Sequence, residues 1–314
     1  MIRYILPFSF VFLLLLIMVP LFRRIAFKYN FVDVPSRRKV HNKPVPLLGG
    51  IAIFVGYILA IFLWLDSFRL TFAILISGVL IVGIGLLDDY YKTRGEDLSA
   101  LPKIIVQFIA GLVLFSFGIR IMGITSIFSE GMIFFAPGIS LFVTLLWVTA
   151  LINMINFFDG ADGLASGISI ISSMTLFLIS FVKGQEVTAM LSVILMGSSS
   201  GFLVYNFHPA KIFMGDAGSA FLGLILAIIS IEGALKSATI LSILMMILVF
   251  GVPIFDTILV LFNRWKNKKP LYIADKNHAH HRLLKKGYSQ KQAVGLIYII
   301  SIIFSLVATL FLFK

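Results

Sequence analysis

Acidic residues occur in short motifs that lie between long apolar runs, and two of these motifs each carry a pair of carboxylates. Asp88 and Asp89 are followed by Lys92 in GLLDDYYK. Asp159 and Asp162 lie three residues apart in NFFDGADG, so a helical turn would place both on one face. A capped turn between helices would explain one of these carboxylates but not both. Proteins use carboxylates to bind Mg²⁺, and they use lysines and glycine-rich helix starts to bind phosphate.

Two further acids stand alone in their motifs. Asp216 in YNFHPAKIFMGDAGS is predicted to begin a helix. Aspartate is a common N-cap, but a helix N-terminus preceded by Lys211 also suits phosphate, so the local pattern leaves both roles open. Asp256 in PIFDT follows Pro253 inside an apolar run, which the proline should kink or break. An acid inside a membrane segment is a functional candidate.

Three histidines, His278, His280 and His281, lie close together in KNHAHHRLLKK. They could chelate a transition metal, belong to a solvated basic loop, or donate hydrogen bonds to an anionic substrate. The surrounding lysines and arginines would repel a cation, which favours contact with an anion over zinc. The chain has no cysteine, so thiolate metal sites and a cysteine nucleophile are excluded.

The elements that must position these residues are membrane helices. With 60% hydrophobic and 13% charged residues, a 314-residue chain cannot bury its apolar surface as a soluble domain. We predict an all-α integral membrane protein with a single polytopic domain over residues 1–314, and with its ninth helix kinked or broken near Pro253. The apolar runs place about ten transmembrane helices near 4–22, 47–65, 68–87, 103–121, 137–157, 164–182, 187–205, 218–235, 238–262 and 292–313.

The distribution of basic residues predicts the orientation. Of the 26 lysines and arginines, 20 lie in the regions that follow odd-numbered helices. The positive-inside rule places these regions in the cytoplasm, with both termini extracytoplasmic. This topology accounts for the net charge of +12 without a nucleic-acid partner. The cytoplasmic loops are predicted at about 23–46, 88–102, 158–163, 206–217 and 263–291.

All five histidines and ten of the fourteen acids fall on this predicted cytoplasmic side. A solute carrier more often places ionisable groups in the middle of the bilayer, on broken helices. The asymmetry therefore favours an enzyme with an active-site cleft at the cytoplasmic face. A transporter of an anionic solute, with Asp256 and the break at Pro253 as its site, is the alternative from another class.

Six motifs in order, RKVHNKPVPLLGG, GLLDDYYK, NFFDGADGLASG, YNFHPAKIFMGDAGS, PIFDT and DKNHAHHR, resemble those of the polyprenyl-phosphate N-acetylhexosamine-1-phosphate transferases. The spacing of His278, His280 and His281 is similar to the WecA/TagO branch. The MraY branch, which transfers phospho-MurNAc-pentapeptide and has three consecutive histidines there, is the alternative within the superfamily.

The resemblance implies a Mg²⁺-dependent enzyme, with Mn²⁺ able to substitute, in the bacterial inner or plasma membrane. It would transfer N-acetylglucosamine 1-phosphate, or a related N-acetylhexosamine 1-phosphate, from a UDP-sugar to undecaprenyl phosphate and release UMP. Such a reaction is the first membrane step of a cell-surface glycopolymer. Apolar helices outside the cleft could also support a homodimer.

The resemblance also implies roles for residues, although the individual roles of Asp159 and Asp162 stay open. The implied catalytic residues are Asp88, Asp89, Asp159, Asp162 and His281. The implied substrate-binding residues are Lys43, Lys92, Lys103, Asn156, Asn206, Phe213, Arg264, His278 and His280. The implied metal ligands are Asp216 and Asn156.

The chemistry favours a direct mechanism. The second pKa of a phosphate monoester is near 6, so the lipid phosphate is largely dianionic at cytoplasmic pH and needs positioning more than deprotonation. We therefore expect in-line attack on the β-phosphate of the UDP-sugar. The alternative is a two-step route through an aspartyl-phosphate on Asp216 or Asp88.

Overall fold

The computed structural model describes residues 2–34, 44–96, 98–125, 132–235, 240–268 and 278–313, and these residues are mostly helical. Their α-helices are α1 (Ile2–Lys28), α2 (Gly49–Trp64), α3 (Phe68–Thr93), α4 (Ala100–Ser116), α5 (Pro137–Phe158), α6 (Leu164–Val182), α7 (Glu186–Asn206), α8 (Gly215–Ser230), α9 (Ile240–Val249), α10 (Gly251–Lys266), α11 (Ala279–Lys285) and α12 (Gln290–Leu310). Two short antiparallel ladders join β1 (Val32–Asp33) to β2 (Val45–Pro46) and β3 (Gly123–Thr125) to β4 (Met132–Phe134).

Within the described residues, seven helices are long and apolar enough to cross a membrane, or eight if the bent pair α9 and α10 forms one span. The chain is therefore a multi-pass all-α membrane protein, as the composition predicts. The other two predicted spans correspond to α2 and α4, which have 16 and 17 residues. At 1.5 Å per residue they are shorter than the roughly 30 Å hydrocarbon core, so the number of ten spans and the orientation stay predictions.

The predicted break near Pro253 is confirmed. The chain bends by 76° between Ser242–Val249 and Gly251–Lys266. Phe250 separates the two helices, and Pro253 lies in the first turn of α10. A proline is tolerated there because the first backbone N–H groups of a helix have no partner within the helix.

Helix α8 is the centre of the bundle. It packs against α2, α3, α5, α6 and α7, and every residue of α8 except Asp216 is buried. Small residues such as Gly218 and Gly223 let neighbouring helices approach α8 closely on more than one side. Asp216, at the N-terminal end of α8, is thus placed where several other helices end.

Two glycines allow other helices to approach the start of α8 closely. A Cβ atom at Gly85 on α3 would lie 2.4 Å from Cα of Ala217, and one at Gly50 on α2 would lie 2.3 Å from the backbone N of Gly218. These contacts involve backbone atoms, which cannot rotate away. Helix α3 continues to Thr93, so Asp88 and Asp89 follow Gly85 by about one turn and face the same end of α8.

We expect Gly85→Ala to lower the thermal stability of the purified protein, because a methyl group there overlaps α8. Overpacking of this kind typically costs about 1–3 kcal/mol. Gly83→Ala is the matched control on the same helix, since its Cβ would meet nothing within 4 Å. Thermal unfolding in detergent should show a lower Tm for Gly85→Ala only. Equal Tm values for the two variants would contradict the close α3–α8 contact.

Candidate active site

Four charged side chains from three helices form a closed cluster, which we call the carboxylate–lysine cluster. It consists of Asp88 and Lys92 on α3, Lys103 on α4 and Asp216 on α8. The Lys92 Nζ lies 2.8 Å from Asp88 Oδ2 and 2.6 Å from Asp216 Oδ1. The Lys103 Nζ lies 2.9 Å from Asp88 Oδ2 and 3.2 Å from Asp216 Oδ2. Each lysine thus bridges both carboxylates, although Asp216 lies 124 residues from Lys92 and 113 residues from Lys103 in the sequence.

The two carboxylates of this cluster differ in access. The side chain of Asp88 is fully buried and its Oδ1 also accepts a hydrogen bond of 3.2 Å from the backbone N–H of Leu98. The Asp216 side chain is 17% exposed. A reactant that approaches the cluster can therefore reach Asp216 more readily than Asp88.

Asp89 has a different environment from its neighbour Asp88. Its Oδ1 accepts a hydrogen bond of 2.9 Å from the backbone N–H of Asp216, and its Oδ2 accepts one of 3.2 Å from Ala217. These N–H groups belong to the first turn of α8, where they have no partner within the helix. Gly215 adopts a positive φ of 66°, and a Cβ there would lie 2.3 Å from Asp89 Oδ2. Asp89 is therefore the cap of α8, supplied by another helix.

Asn156 and Asp159 extend the site from the end of α5. Asn156 Nδ2 donates a hydrogen bond of 2.9 Å to Ser219 Oγ, one turn beyond Asp216 on α8. This bond uses the amide nitrogen, so the side-chain oxygen is the atom suited to bind a cation. Desolvation, together with the negative charges of Asp216 and Asp89, raises the pKa of Asp159 well above its usual value.

The second acid of NFFDGADG, Asp162, is engaged by the segment after α7. Its Oδ2 accepts a hydrogen bond of 3.0 Å from the backbone N–H of Ala210 and lies 2.7 Å from His208 Nδ1. His208 has no predicted role, although it belongs to the same motif as Asp216. Asp162 thus contacts the segment after α7, whereas Asp159 is buried near the charges of Asp216 and Asp89, so the two acids have different surroundings.

Asn206, predicted to contact the nucleotide, is buried among protein partners. Its Oδ1 accepts hydrogen bonds from the Gly163 N–H at 3.0 Å and from Ser166 Oγ at 3.2 Å, and its Nδ2 donates to the Ile212 carbonyl at 3.0 Å. These bonds connect the end of α7 to the start of α6 and to the loop before α8. In this structure Asn206 shapes the site, and direct contact with a substrate stays a prediction.

Tyr298 on α12 supports the same turn and lies in none of the motifs. Its hydroxyl donates a hydrogen bond of 2.5 Å to the Gly163 carbonyl. Gly163 adopts a positive φ of 78°, and a Cβ at Gly167 would lie 2.0 Å from the Tyr298 hydroxyl oxygen. A single tyrosine in an apolar helix carries no local sequence signal, so only the packing of α12 on α6 identifies it.

The histidine motif approaches the same turn from the C-terminal part of the chain. A Cβ at Gly160 would lie 2.5 Å from His280 Nε2, and the His278 ring packs on Phe157 with centroids 5.2 Å apart. The His281 ring lies 4.1 Å from that of His280. Burial, with smaller contributions from His281 and His278, lowers the pKa of His280 to about 3, so its imidazole is neutral at pH 7.

The remaining predicted residues lie at the edges of this site or outside the described residues. The N–H of Phe213 donates to the Pro46 carbonyl at 2.8 Å and its carbonyl accepts from Gly49 at 3.1 Å, which fixes the segment before α8 against the start of α2. Arg264 is buried near the end of α10. Lys43 lies outside the described residues.

The oxygen donors of the cluster suit a magnesium ion. Asp88 and Asp216 contact the same two ammonium groups, so they are close enough to share one cation. No group of three or more acidic or histidine side chains that could hold a metal occurs in the part of the chain that the structure describes. Mg²⁺ is usually held by one or two carboxylates and completes its shell with water and substrate phosphates, so two carboxylates fit its requirements.

We expect Asp89→Asn to destabilise the protein, because an amide can accept only one of the two N–H groups and turns its own NH₂ toward the other. A buried donor left without an acceptor costs about 1–3 kcal/mol. Thermal unfolding in detergent should show a lower Tm for Asp89→Asn than for the control Asp66→Asn, whose side chain is 95% exposed. An unchanged Tm for Asp89→Asn would argue against its capping role.

Comparisons with known proteins show what this chain is similar to. A family model described as glycosyl transferase family 4 matches residues 71–234, the stretch that contains the carboxylate–lysine cluster. A probable undecaprenyl-phosphate N-acetylglucosaminyl 1-phosphate transferase of Bacillus subtilis (strain 168) is 40% identical, over 98% of this chain and 85% of its own length.

More distant relatives have similar names. A decaprenyl-phosphate N-acetylglucosaminephosphotransferase of Mycobacterium tuberculosis (strain ATCC 25618 / H37Rv) is 35% identical over 88% of this chain and 74% of its own. An undecaprenyl-phosphate alpha-N-acetylglucosaminyl 1-phosphate transferase of Escherichia coli (strain K12) is 29% identical over 88% of this chain and 75% of its own length. The resemblance carried by the six motifs is confirmed, and the chain belongs to glycosyl transferase family 4.

Proposed function

We propose that this protein transfers N-acetylglucosamine 1-phosphate from UDP-N-acetylglucosamine to a polyprenyl phosphate, with undecaprenyl phosphate as the expected acceptor. The observation that supports this most is the carboxylate–lysine cluster at the end of a membrane helix bundle, in a chain 40% identical to the Bacillus subtilis relative. A site made by membrane helices suits a lipid acceptor, and paired lysines suit phosphates. The names of the relatives favour N-acetylglucosamine over the phospho-MurNAc-pentapeptide alternative.

In the proposed reaction an oxygen of the lipid phosphate attacks the β-phosphorus of the UDP-sugar. A new P–O bond to the lipid phosphate forms, the bond from the β-phosphorus to the bridging oxygen breaks, and UMP leaves with that oxygen. Lys92 and Lys103 neutralise the phosphate oxygens by exchanging their carboxylate partners for substrate. The product is a polyprenyl-diphosphate sugar.

Asp216 and the side-chain oxygen of Asn156 are the proposed ligands of Mg²⁺, whereas the buried Asp88 is proposed to hold the lysines beside the phosphate of the lipid. When bound, the ion would neutralise charge on the diphosphate of the donor. Asp89 acts on this site only through α8. If the reaction instead used an aspartyl-phosphate, Asp216 would be the better placed carboxylate, because the Asp88 side chain is fully buried. Direct attack predicts net inversion at phosphorus.

We further propose that the cluster faces the cytoplasm in the bacterial plasma membrane. The support is the charge distribution, which places 20 of the 26 basic residues on that side. A UDP-sugar would then reach the site directly from the cytoplasm. The proposed homodimer rests only on the apolar outer surfaces.

The purified protein in detergent should release UMP from UDP-N-acetylglucosamine only when undecaprenyl phosphate and Mg²⁺ are both present, and EDTA should stop the release. UMP can be measured by chromatography. UDP-N-acetylgalactosamine and UDP-MurNAc-pentapeptide, tested in parallel, identify the preferred donor. No UMP from any donor, combined with uptake of an anionic solute into vesicles, would support the transporter alternative instead.

Substitution of the two carboxylates of the cluster should have different effects on donor binding. Asp216→Asn is expected to abolish turnover and Mg²⁺-dependent binding of the UDP-sugar, because Asp216 is the accessible proposed ligand. Asp88→Asn should also cripple turnover but leave donor affinity within about tenfold, roughly 1.4 kcal/mol. Calorimetry without lipid acceptor measures both affinities, with Asp66→Asn as the control. Loss of donor binding in Asp88→Asn alone would reverse the assignment.

A further inference from the structure

Asp256 is a buried carboxylate that the proposed reaction does not use. It lies in α10, just after the 76° bend, and only 3% of its side chain is exposed. Taking a carboxylate out of water costs several kcal/mol unless charged or hydrogen-bonding partners compensate. The partners of Asp256 therefore show what it holds in place.

His278, Ala279 and Arg282, which contact the Asp256 carboxylate, all belong to the segment that contains α11. Asp256 Oδ2 lies 2.8 Å from His278 Nδ1, while Oδ1 accepts hydrogen bonds of 2.8 Å from the Ala279 N–H and 2.9 Å from Arg282 Nη2. These residues follow Asp256 by 22 to 26 positions. A single side chain thus connects α10 to the returning histidine segment.

The bond to His278 also fixes the chemistry of its ring. An ionised carboxylate can only accept hydrogen bonds, so Nδ1 of His278 must carry a proton. Nε2 is then the ring nitrogen that can act on another molecule. The same carboxylate satisfies the N–H of Ala279, the first residue of α11, which has no partner within that helix.

The position of the segment that starts α11 matters because this segment contacts the turn that carries Asp159 and Asp162. The His278 ring packs on Phe157, and His280 Nε2 faces Gly160, which lies between Asp159 and Asp162. Asp162 itself repeats the arrangement, since it contacts His208 Nδ1 and a backbone N–H nearby. The site therefore contains two Asp–His pairs, and that of Asp256 is the more deeply buried.

We propose that Asp256 is a positioning residue, which orients His278 toward the donor diphosphate by fixing its protonated Nδ1 and the start of α11. This inference rests on the proposed function for its effect on turnover. Its structural part, the anchoring of α11, does not depend on any substrate. The competing explanation is that Asp256 only neutralises Arg282.

The test is a double-mutant cycle on UMP release. Asp256→Asn keeps the size of the side chain but removes its charge and one acceptor, so kcat should fall by about tenfold to a hundredfold, the usual scale for a residue that orients an active-site histidine. The KM for UDP-N-acetylglucosamine should change by less than about threefold, because His278 is proposed to act on the charge that develops on the diphosphate in the transition state. In a His278→Ala background, Asp256→Asn should cost less than about threefold, since both changes remove the same oriented ring.

Arg282→Ala distinguishes the proposal from the competing explanation, in which Asp256 only neutralises Arg282. If Asp256 only balanced Arg282, then Arg282→Ala would reproduce the loss of Asp256→Asn, and His278→Ala would not reduce it. Full additivity of Asp256→Asn with His278→Ala, or unchanged kcat in Asp256→Asn, would overturn the proposal. Should Asp256→Asn fail to fold, Asp256→Glu takes its place in the cycle, because it keeps the charge and displaces the carboxylate by one methylene.

Hydrogen exchange measured by mass spectrometry tests the anchoring without substrate. Peptides that cover 279–285 should exchange faster in Asp256→Asn than in the wild type, and Asp66→Asn should match the wild type. Unchanged exchange in Asp256→Asn would refute the anchoring. If the wild type releases no UMP but exchange still increases, the proposed function fails while the anchoring stands.

Discussion

The contact between α3 and the first turn of α8 is the interaction on which the rest of the site depends. Asp89 accepts hydrogen bonds from the N–H groups of Asp216 and Ala217, and Gly85 lets the two backbones approach closely enough for these bonds to form. The cap and the close contact lie about one turn apart on α3. Together they set the distance between the carboxylates of Asp88 and Asp216, and hence the reach of the two lysines that bridge them.

Charge compensation explains why Asp88, Asp216 and Asp256 each lie beside groups that carry or donate positive charge. The surroundings of a membrane protein have a low dielectric constant, so an isolated carboxylate there is costly and an opposite charge or a set of N–H donors must accompany it. Asp88 and Asp216 share Lys92 and Lys103, whereas Asp256 has an imidazole, an arginine and a backbone N–H. Lysines held in this way stay partly exposed, by 32% for Lys92 and 27% for Lys103, and lie close to the place where phosphates are proposed to bind.

The motif residues consequently divide into two groups that the sequence does not distinguish. Asp89 and Asn206 have their polar atoms engaged by backbone groups and hold helix ends together. Asp216 is partly exposed and has a lysine on each carboxylate oxygen. Removing a residue of the first group should act on stability or geometry, while removing Asp216 should act on the chemistry. Loss of activity alone would not separate the two.

The sequence by itself determined the membrane class, the positions of the helices, the break near Pro253 and the acids, lysines and histidines that meet at the site. These follow from long apolar runs, from proline chemistry and from motifs that resemble a known family. Only the tertiary structure decided that Asp89 caps α8 while its neighbour Asp88 contacts lysines, that His208 pairs with Asp162, and that Tyr298 supports Gly163. Adjacent residues on a helix point about 100° apart, so their partners depend on which helix lies on each side, and local sequence does not record that packing.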